Sequence, residues 1–529
     1  MFKTVDLFSG AGGLSLGFMA TGAFDIKVAF ENNPAMQQTY RLNHTTTDVR
    51  GNVCDADYDQ IRSEYGDIDI VIGGPPCQGF SNANRQKNHA ISMNNLLVKE
   101  YIRAILELRP KAFIMENVSM LRSDVHRFFL VKGEEEFIEH YGIHAEKSVL
   151  HLLDAKFCFV GLDTIVESPE LVNKYIWPEA DYIQMNVIYK YSKNPSKIER
   201  TMNKHKRGLL KLAVKYLAED YKGDAILTYV HEALSSIRNF YGGIADINDV
   251  VKSVEPVIMI QRMLSKCSEL YSNNLVIDEF SYVDGVDVCL RSFAVYEYLK
   301  NILESDEFGY AIKDDILCAA DFGAPQKRKR FVVMGIRKEL APEFSLPEAL
   351  YSPDEYNTVY DAISDLQEIE PFFTVTDDEG CHIDKRSLNR KNPLYILRDS
   401  PVIKNHIMTK TTPTAMARFK SLHQGENFHS LDPELQKNTY TNVERTQNSI
   451  YQRLDYKKPS GTVTNVRKAM WIHPVKDRAI SIREAARLQT FPDSFVFAGS
   501  KDEQYQQVGN AVPPIMAKAI AEKLLEYLK

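Results

Sequence analysis

Thr4-Val-Asp-Leu-Phe-Ser-Gly-Ala-Gly-Gly-Leu14 decides the fold class of this 529-residue chain. Thr4–Phe8 reads as a short buried strand that breaks at a Gly-rich turn, and Leu14–Ala20 then has helical apolar spacing. Ile26–Phe30 is a second strand, ending in Glu31-Asn-Asn33. A strand, a Gly-rich turn and a helix in that order let a ligand approach the backbone, and the helix N-terminus favours negative charge. Glu31 follows the turn by about 20 residues, where an acidic side chain accepts hydrogen bonds from ribose hydroxyls. Alone, the stretch fits any Rossmann-type nucleotide site, or a tight turn with no ligand.

The alternation continues outward. Ile68–Ile72 is a third apolar strand, stopped by Gly73-Gly-Pro-Pro76. Leu96–Leu108 has helical spacing through Leu97, Tyr101, Ile102, Ile105 and Leu108, and Ala112–Met115 is another buried strand, ending at Glu116. Strands that each feed a helix imply an α/β fold, a doubly wound, mostly parallel Rossmann-like sheet with its sites at the strands' C-terminal ends. After residue 120 the pattern changes. Residues 124–310 read as mostly helical, with Arg207–Leu217 and Pro256–Leu270 as examples, and carry no catalytic constellation. The α/β pattern returns at Ile316–Ala320 and Phe331–Ile336. Residues 340–470 are polar and turn-rich. Ser481–Thr490 is helical, and Gly509-Asn-Ala-Val-Pro-Pro514 precedes a last helix.

Hydrophobic residues make up 44% and charged residues 26%, the balance of a soluble globular protein. The length suggests two to four domains at roughly 100–200 residues each. No run of about 18 apolar residues appears, so no transmembrane helix is expected. The N-terminus lacks the basic-then-apolar build of a signal peptide. The cysteines, at 54, 77, 158, 267, 289, 318 and 381, are scattered and form no Cys-x-x-Cys pair. Neither a disulfide framework nor a zinc site or other metal is expected, and a reduced cytoplasm fits. The formal charge of −7 argues mildly against nucleic acid, but a local basic face matters more than the net value. Two basic concentrations exist. One is Gln326-Lys-Arg-Lys-Arg330. The other runs from Lys190 to Lys215, with only Glu199 opposing, and reads as a solvated helix face or a phosphate-binding one.

Pro75-Pro-Cys-Gln-Gly-Phe-Ser81 follows the third strand directly. A free cysteine is often a buried structural one. Here two prolines stiffen the turn and glycines flank it, which holds one side chain out into a cleft. Thiolate is also the best nucleophile among side chains near neutral pH. Glu116-Asn-Val118 ends the next strand, and parallel topology places Glu116 on the same sheet edge as Cys77. A lone Glu there can instead cap a helix. A thiol beside a carboxyl suits addition to an electron-poor ring, the acid protonating a ring nitrogen as the sulfur attacks. Gln326, Arg328 and Arg330 alternate along an extended segment, so they are expected to point together.

Asp6–Gly13, Pro75–Ser81, Glu116–Val118, Gln326–Arg330, Arg483–Asp493 and Gly509–Pro514, in this order, resemble the cytosine-5 DNA methyltransferases, in particular those of type II restriction-modification systems. The resemblance implies methyl transfer from S-adenosylmethionine to carbon 5 of a cytosine flipped out of duplex DNA. The cofactor would lie on Phe8, Ser9, Gly10, Gly12, Gly13 and Leu14, with Glu31 on its ribose. Pro75 and Leu97, the latter in Asn95-x-Leu97, would be further cofactor contacts, and Asn510 and Val512 would close the pocket. Gly51-Asn52-Val53 stands where the family usually has Gly-Asp-Ile. Asn52 can still accept from adenine through its amide oxygen, and Asp55 can substitute. Cys77 would attack C6, Glu116 would hold N3, and Arg328 or Arg330 would hold O2 and the thiolate region. Gln78–Leu96 resembles the family's loop that closes over the flipped base.

The family usually has a few tens of residues where 119–325 stand here, so 124–310 is read as an inserted helical domain of unknown role. The organisation implied is 1–123 and 311–339 for the two parts of the catalytic domain, 340–478 for target recognition, and 479–529 for the hinge and return. The expected DNA contacts are Gln78, Ser81, Arg453, Lys457, Lys458, Thr462, Thr464 and Arg467, residue types that meet phosphates and base edges. The implied partners are double-stranded DNA and a separate cognate restriction endonuclease, with no membrane; the implied place is the prokaryotic cytoplasm, with the nucleoid. A tRNA cytosine-5 methyltransferase is the first alternative, and the large region between Arg330 and Arg483 stands against it. An inactive DNA-binding relative is the second, opposed by the intact Cys77, Glu116, Arg328 and Arg330. A nicotinamide oxidoreductase leaves Pro75–Ser81 and Gln326–Arg330 unexplained.

Overall fold

The computed structural model describes residues 1–76, 93–117, 127–192, 194–217, 221, 223–383, 389–437 and 446–528; of 93–96, 195 and 196 only the backbone is described. The chain divides into two compact units. One comprises Met1–Cys77, Leu96–Ser123 and Leu299–Lys529, the other Gln78–Asn95 and Asp124–Tyr298.

The first unit opens with strands β1 (Phe2–Leu7), β2 (Phe24–Phe30), β3 (Asp48–Arg50), β4 (Ile70–Gly73) and β5 (Ala112–Asn117). The second unit holds β6 (Arg127–Phe129), β7 (Glu146–Leu153), β8 (Ile277–Ser281) and β9 (Val286–Ala294). The first unit resumes with β10 (Tyr310–Cys318) and β11 (Lys329–Arg337). Its seven strands lie in the order β10-β11-β5-β4-β1-β2-β3. The β1–β5 part is parallel throughout, and β11 runs antiparallel to both β5 and β10. Only a short connection through Ala319–Phe322 joins β10 to β11. It is too short for the helical crossover that a parallel pair requires.

Alternation along the strands sorts the core. Ile70 and Ile72, Ala112 and Ile114, and Val332, Met334 and Ile336 share one cluster with Leu14 and Phe18 of α1 (Gly13–Met19) and with Met516, Ile520 and Leu524 of the helix Pro514–Leu525. In the β5–β11 register Phe113 opposes Gly335, where a Cβ would sit 2.0 Å from the Phe113 ring. The central strands are thus covered on both faces, which is why they read as continuous apolar runs. Helices α2 (Pro34–Asn43), α3 (Tyr58–Tyr65) and α4 (Met93–Leu108) complete the α/β alternation.

In the second unit, helices Glu179–Lys190, Pro195–Tyr216, Ala225–Tyr241 and Ile247–Ser272 enclose a common core that includes Met185, Met202, Leu209, Leu234, Ile258 and Leu264. The expected helices are there, and so is an antiparallel sheet in which β9 pairs with β6, β7 and β8. Its outer strands bury little: only Leu152 and Leu153 of β7, and no residue of β8, are buried. That leaves a weak period-2 signal in the sequence.

Residues 340–478 belong to the first unit and carry only short elements. Val359, Leu397, Ile407, Leu454 and Trp471 share a core with Ile482, Leu488 and Phe491. Among the described residues no helix is long and apolar enough to cross a membrane.

Candidate active site

The Gly-rich turn begins where β1 ends. Ser9 N donates to Phe30 O at 3.0 Å, which ties the turn to the end of β2, and Gly12 N donates to Ser9 O at 2.9 Å. Gly12 has φ +91, and a Cβ there would lie 2.4 Å from His44 Nε2. A Cβ on Gly13 would lie 2.5 Å from Val512 O, so the segment before the last helix rests on the first residue of α1. Leu14 is buried in the core below.

A polar relay lies under this turn. Asp6 Oδ2 accepts from Ser15 Oγ at 2.5 Å, and Tyr40 OH donates to the same Oγ at 2.7 Å. Burial pushes the Asp6 carboxyl up to about 7, against the pull of the Ser15 hydroxyl, and the charge of Glu31 adds to the rise. His44 packs its ring 4.3 Å from that of Tyr40, and burial lowers its pKa to about 4, so it is neutral at pH 7. The sequence offered no signal for His44; Asp6 stood in the motif without a role.

Glu31 turns its carboxylate to the turn, Oε2 accepting from Gly10 N at 2.9 Å and Oε1 from Asn33 N at 2.7 Å. Burial raises its pKa, opposed by these backbone bonds. Beside it lies a cleft of about 450 Å³ lined by Phe30, Arg50, Gly51, Asn52, Asp55, Ala56, Asp57 and Gln60. Asn52 Oδ1 accepts from Cys54 N at 3.1 Å, and Val53 is buried. Arg103 of α4 braces the wall, donating to the carbonyls of Val53 (3.2 Å) and Ala56 (3.3 Å). Asn95 and Leu97 fall in the first turns of helix α4. Asn510 ends the helix Lys501–Asn510 and its Oδ1 accepts from Gln506 at 2.7 Å. Ser9 Oγ and Asp6 Oδ1 are buried with no hydrogen-bond partner among the described residues.

At the C-terminal edge of the same sheet, Glu116 Oε1 meets Arg330 Nε at 2.5 Å, and both side chains are largely buried. Burial pushes the Glu116 carboxyl above its ordinary value, and the Arg330 guanidinium pulls it back. The turn leaving β4 passes directly beside it. A Cβ on Gly74 would lie 3.0 Å from Glu116 Oε2, and Asn117 Nδ2 donates to Pro75 O at 2.8 Å. Pro75 is itself buried. Cys77, the next residue but one, lies outside the described residues, as do Gln78 and Ser81.

Gln326 and Arg328 do not join Arg330. Gln326 Nε2 donates to Leu488 O (2.9 Å) and Gln489 Oε1 (2.5 Å), and its Oε1 accepts from Val463 N (3.1 Å). Arg328 is fully buried, donating to Val463 O (2.7 Å) and Asn510 O (3.3 Å). The ladder of β11 starts only at Lys329. The segment before it pairs instead with Ser460, whose N donates to Pro325 O and whose O accepts from Lys327 N, both at 2.9 Å. The expected common direction is therefore corrected: of the three, Arg330 alone reaches Glu116.

Within residues 340–478, Lys457, Lys458 and Thr464 are exposed, Thr462 is half-buried, and Arg467 pairs with Asp502 at 2.8 Å. Arg453 is turned inward, contrary to the expectation of a DNA contact. Its guanidinium donates to the carbonyls of Phe419 (2.5 Å), His473 (3.1 Å) and Lys476 (3.2 Å) and pairs with Asp477 (2.6 Å). Arg453→Ala should therefore lower unfolding free energy by about 2–4 kcal/mol, because several buried carbonyls lose their donor. Denaturant unfolding measures this, and unchanged stability with lost DNA affinity would return Arg453 to the DNA-contact set. A second buried network was not foreseen: Arg487 bridges Asp365 (2.7 Å) and Asp493 (2.8 Å), and Arg398 joins Asp365 (2.7 Å).

The family model for C-5 cytosine-specific DNA methylase matches residues 2–158 and 289–526. The chain is 22% identical to the type II methyltransferase M.DdeI of Desulfomicrobium norvegicum, over 99% of this chain and 89% of the relative. It is 27% identical to the DNA (cytosine-5-)-methyltransferase M.ApeKI of Aeropyrum pernix, over 100% of this chain and 99% of the relative. A crystal structure described as a DNA modification methyltransferase encoded within a prophage (E. coli) superposes with TM-score 0.54 at 21% identity, covering 100% of this chain and 99% of that one.

Proposed function

Because the chain belongs to the C-5 cytosine-specific DNA methylase family, we propose that it methylates carbon 5 of a flipped-out cytosine in duplex DNA, with Cys77 as nucleophile. The observation that carries this reading is the Glu116–Arg330 pair set beside the turn that leads into Cys77. Attack of the Cys77 thiolate on C6 pushes electron density toward N3, where Glu116 supplies a proton. Arg330 holds Glu116 and would hold the cytosine O2. C5 then carries the nucleophilic electron pair and takes the methyl group. Removal of the C5 proton and expulsion of the Cys77 sulfur restore the ring.

The residues around the Gly-rich turn fit S-adenosylmethionine. Ser9 Oγ is buried without a partner among the described residues, the Glu31 carboxylate lies at the turn, and the cleft beside Asn52 has the volume of a small-ligand site. Phe8–Leu14 would hold the amino-acid part, Glu31 the ribose, and Asn52, with Val53 and Asp55, the adenine; Pro75, Leu97, Asn510 and Val512 would wall the site. When bound, the cofactor supplies an electrophilic methyl group on a sulfonium.

The biological role we assign is modification within a type II restriction-modification system, with a separate endonuclease, in the prokaryotic cytoplasm. The names of the relatives support it. Bisulfite sequencing of DNA from cells expressing the protein tests the activity. Protected cytosines in one sequence context are expected. No protected cytosine, with methyl groups appearing on tRNA, would move the assignment to the tRNA enzymes.

A further inference from the structure

Residues 124–298 of the second unit supply none of the groups named in the chemistry above, yet one of their helices carries a row of cations. Helix Pro195–Tyr216 buries Ile198, Met202, Leu209, Leu212 and Ala213 on one side. Lys197, Arg200, Lys204, Arg207, Lys211 and Lys215 are all exposed. At 3.6 residues per turn these six fall within an arc of about 80° on the solvent side and span about 27 Å of axis, the rise of about eight nucleotides of one duplex strand. Glu199 lies outside that arc. Among the described residues Lys215 has an ion-pair partner, Asp181 at 2.6 Å, and the other five have none. Elsewhere in the unit acids outnumber bases, so the positive charge is concentrated on this stripe against an acidic background. A merely solubilising surface needs both signs interspersed, whereas a polyanion needs one sign in a row.

We propose that this stripe binds the phosphate backbone of duplex DNA without reading sequence, giving the inserted unit the role of a second grip on the substrate. The proposal rests on the DNA reading above. It uses no base contact: lysine and arginine on one helix face neutralise phosphates and release counterions, so affinity must depend steeply on salt.

The test compares the full-length parent with Arg200→Gln/Lys204→Gln/Arg207→Gln and with a control of equal charge change, Lys132→Gln/Lys147→Gln/Lys252→Gln, at exposed lysines of the same unit. The readouts are binding of a 30-base-pair random-sequence duplex over a range of salt concentrations, methyl transfer to genomic DNA, and circular dichroism to verify folding. Glutamine keeps helix propensity. The stripe variant should bind at least about tenfold more weakly at low salt, and its log–log salt slope should fall by about 2 to 3, with the control unchanged. Lys204→Gln alone should lower the slope by about 1. Equal slopes for parent, control and stripe variant overturn the proposal. A parent that binds with the expected slope but methylates no DNA would fail the functional reading and leave the phosphate grip standing.

Discussion

Cys77→Ala is expected to lower the rate of methyl transfer by at least about 10⁴-fold, while binding of DNA and of S-adenosylmethionine changes only a few-fold. The carbon-5 position of cytosine is a poor nucleophile until a group adds at C6. Without the thiolate no covalent step makes C5 electron-rich, and proximity of the two substrates does not replace it. The surfaces proposed for the cofactor at Phe8–Leu14, Glu31 and Asn52 lie on other strand ends, so their occupancy should survive. Single-turnover transfer of radiolabelled methyl groups, with binding measured separately, checks both halves. A variant that retains more than about 1% of the parent rate would remove Cys77 from its role.

Glu116→Gln should lower kcat by about 10²- to 10⁴-fold with little change in DNA affinity. The amide can still donate a hydrogen bond to N3 but cannot deliver a proton. The pH profile separates this from a structural effect. Burial raises the Glu116 pKa, partly countered by Arg330, so the carboxyl keeps its proton to higher pH than an ordinary glutamate. The proton-donating form is full below that raised pKa and is lost as pH rises through it. The parent's single-turnover rate should therefore decline on that alkaline limb, and Glu116→Gln should lack the limb. A variant whose rate falls while the limb persists would place the titrating acid elsewhere.

The central parallel strands were legible because they are covered on both faces, which writes uninterrupted apolar runs between Gly and Pro stops, as at Ile70–Gly73, whereas the three-residue β3, with Val49 alone buried, was not. The antiparallel β10–β11 edge was not, since direction is set by connection length rather than by strand composition. The sheet of the second unit escaped because β7 and β8 bury too few residues to alternate clearly. At the site, Glu31 and Glu116 were legible as acids placed at strand ends. Arg330 was separable from Arg328 only in three dimensions: the same residue type, two positions apart, serves as the partner of Glu116 in one case and as a buried backbone clamp in the other. His44 and Arg453 teach the same lesson from opposite sides. A buried histidine beneath Gly12 leaves no trace in a motif, and an arginine in a polar stretch looks available until its carbonyl partners are seen.

The most direct test of the account is a reaction of the full-length protein with S-adenosylmethionine and duplex DNA carrying 5-fluorocytosine at the methylated position. Fluorine at C5 leaves no proton to remove after methyl transfer, so the Cys77–C6 bond cannot be released. The expected result is a denaturant-stable protein–DNA adduct, formed only with cofactor present, whose DNA-bearing peptide contains Cys77. No adduct from a preparation that methylates ordinary DNA, or an adduct on a different residue, would contradict it.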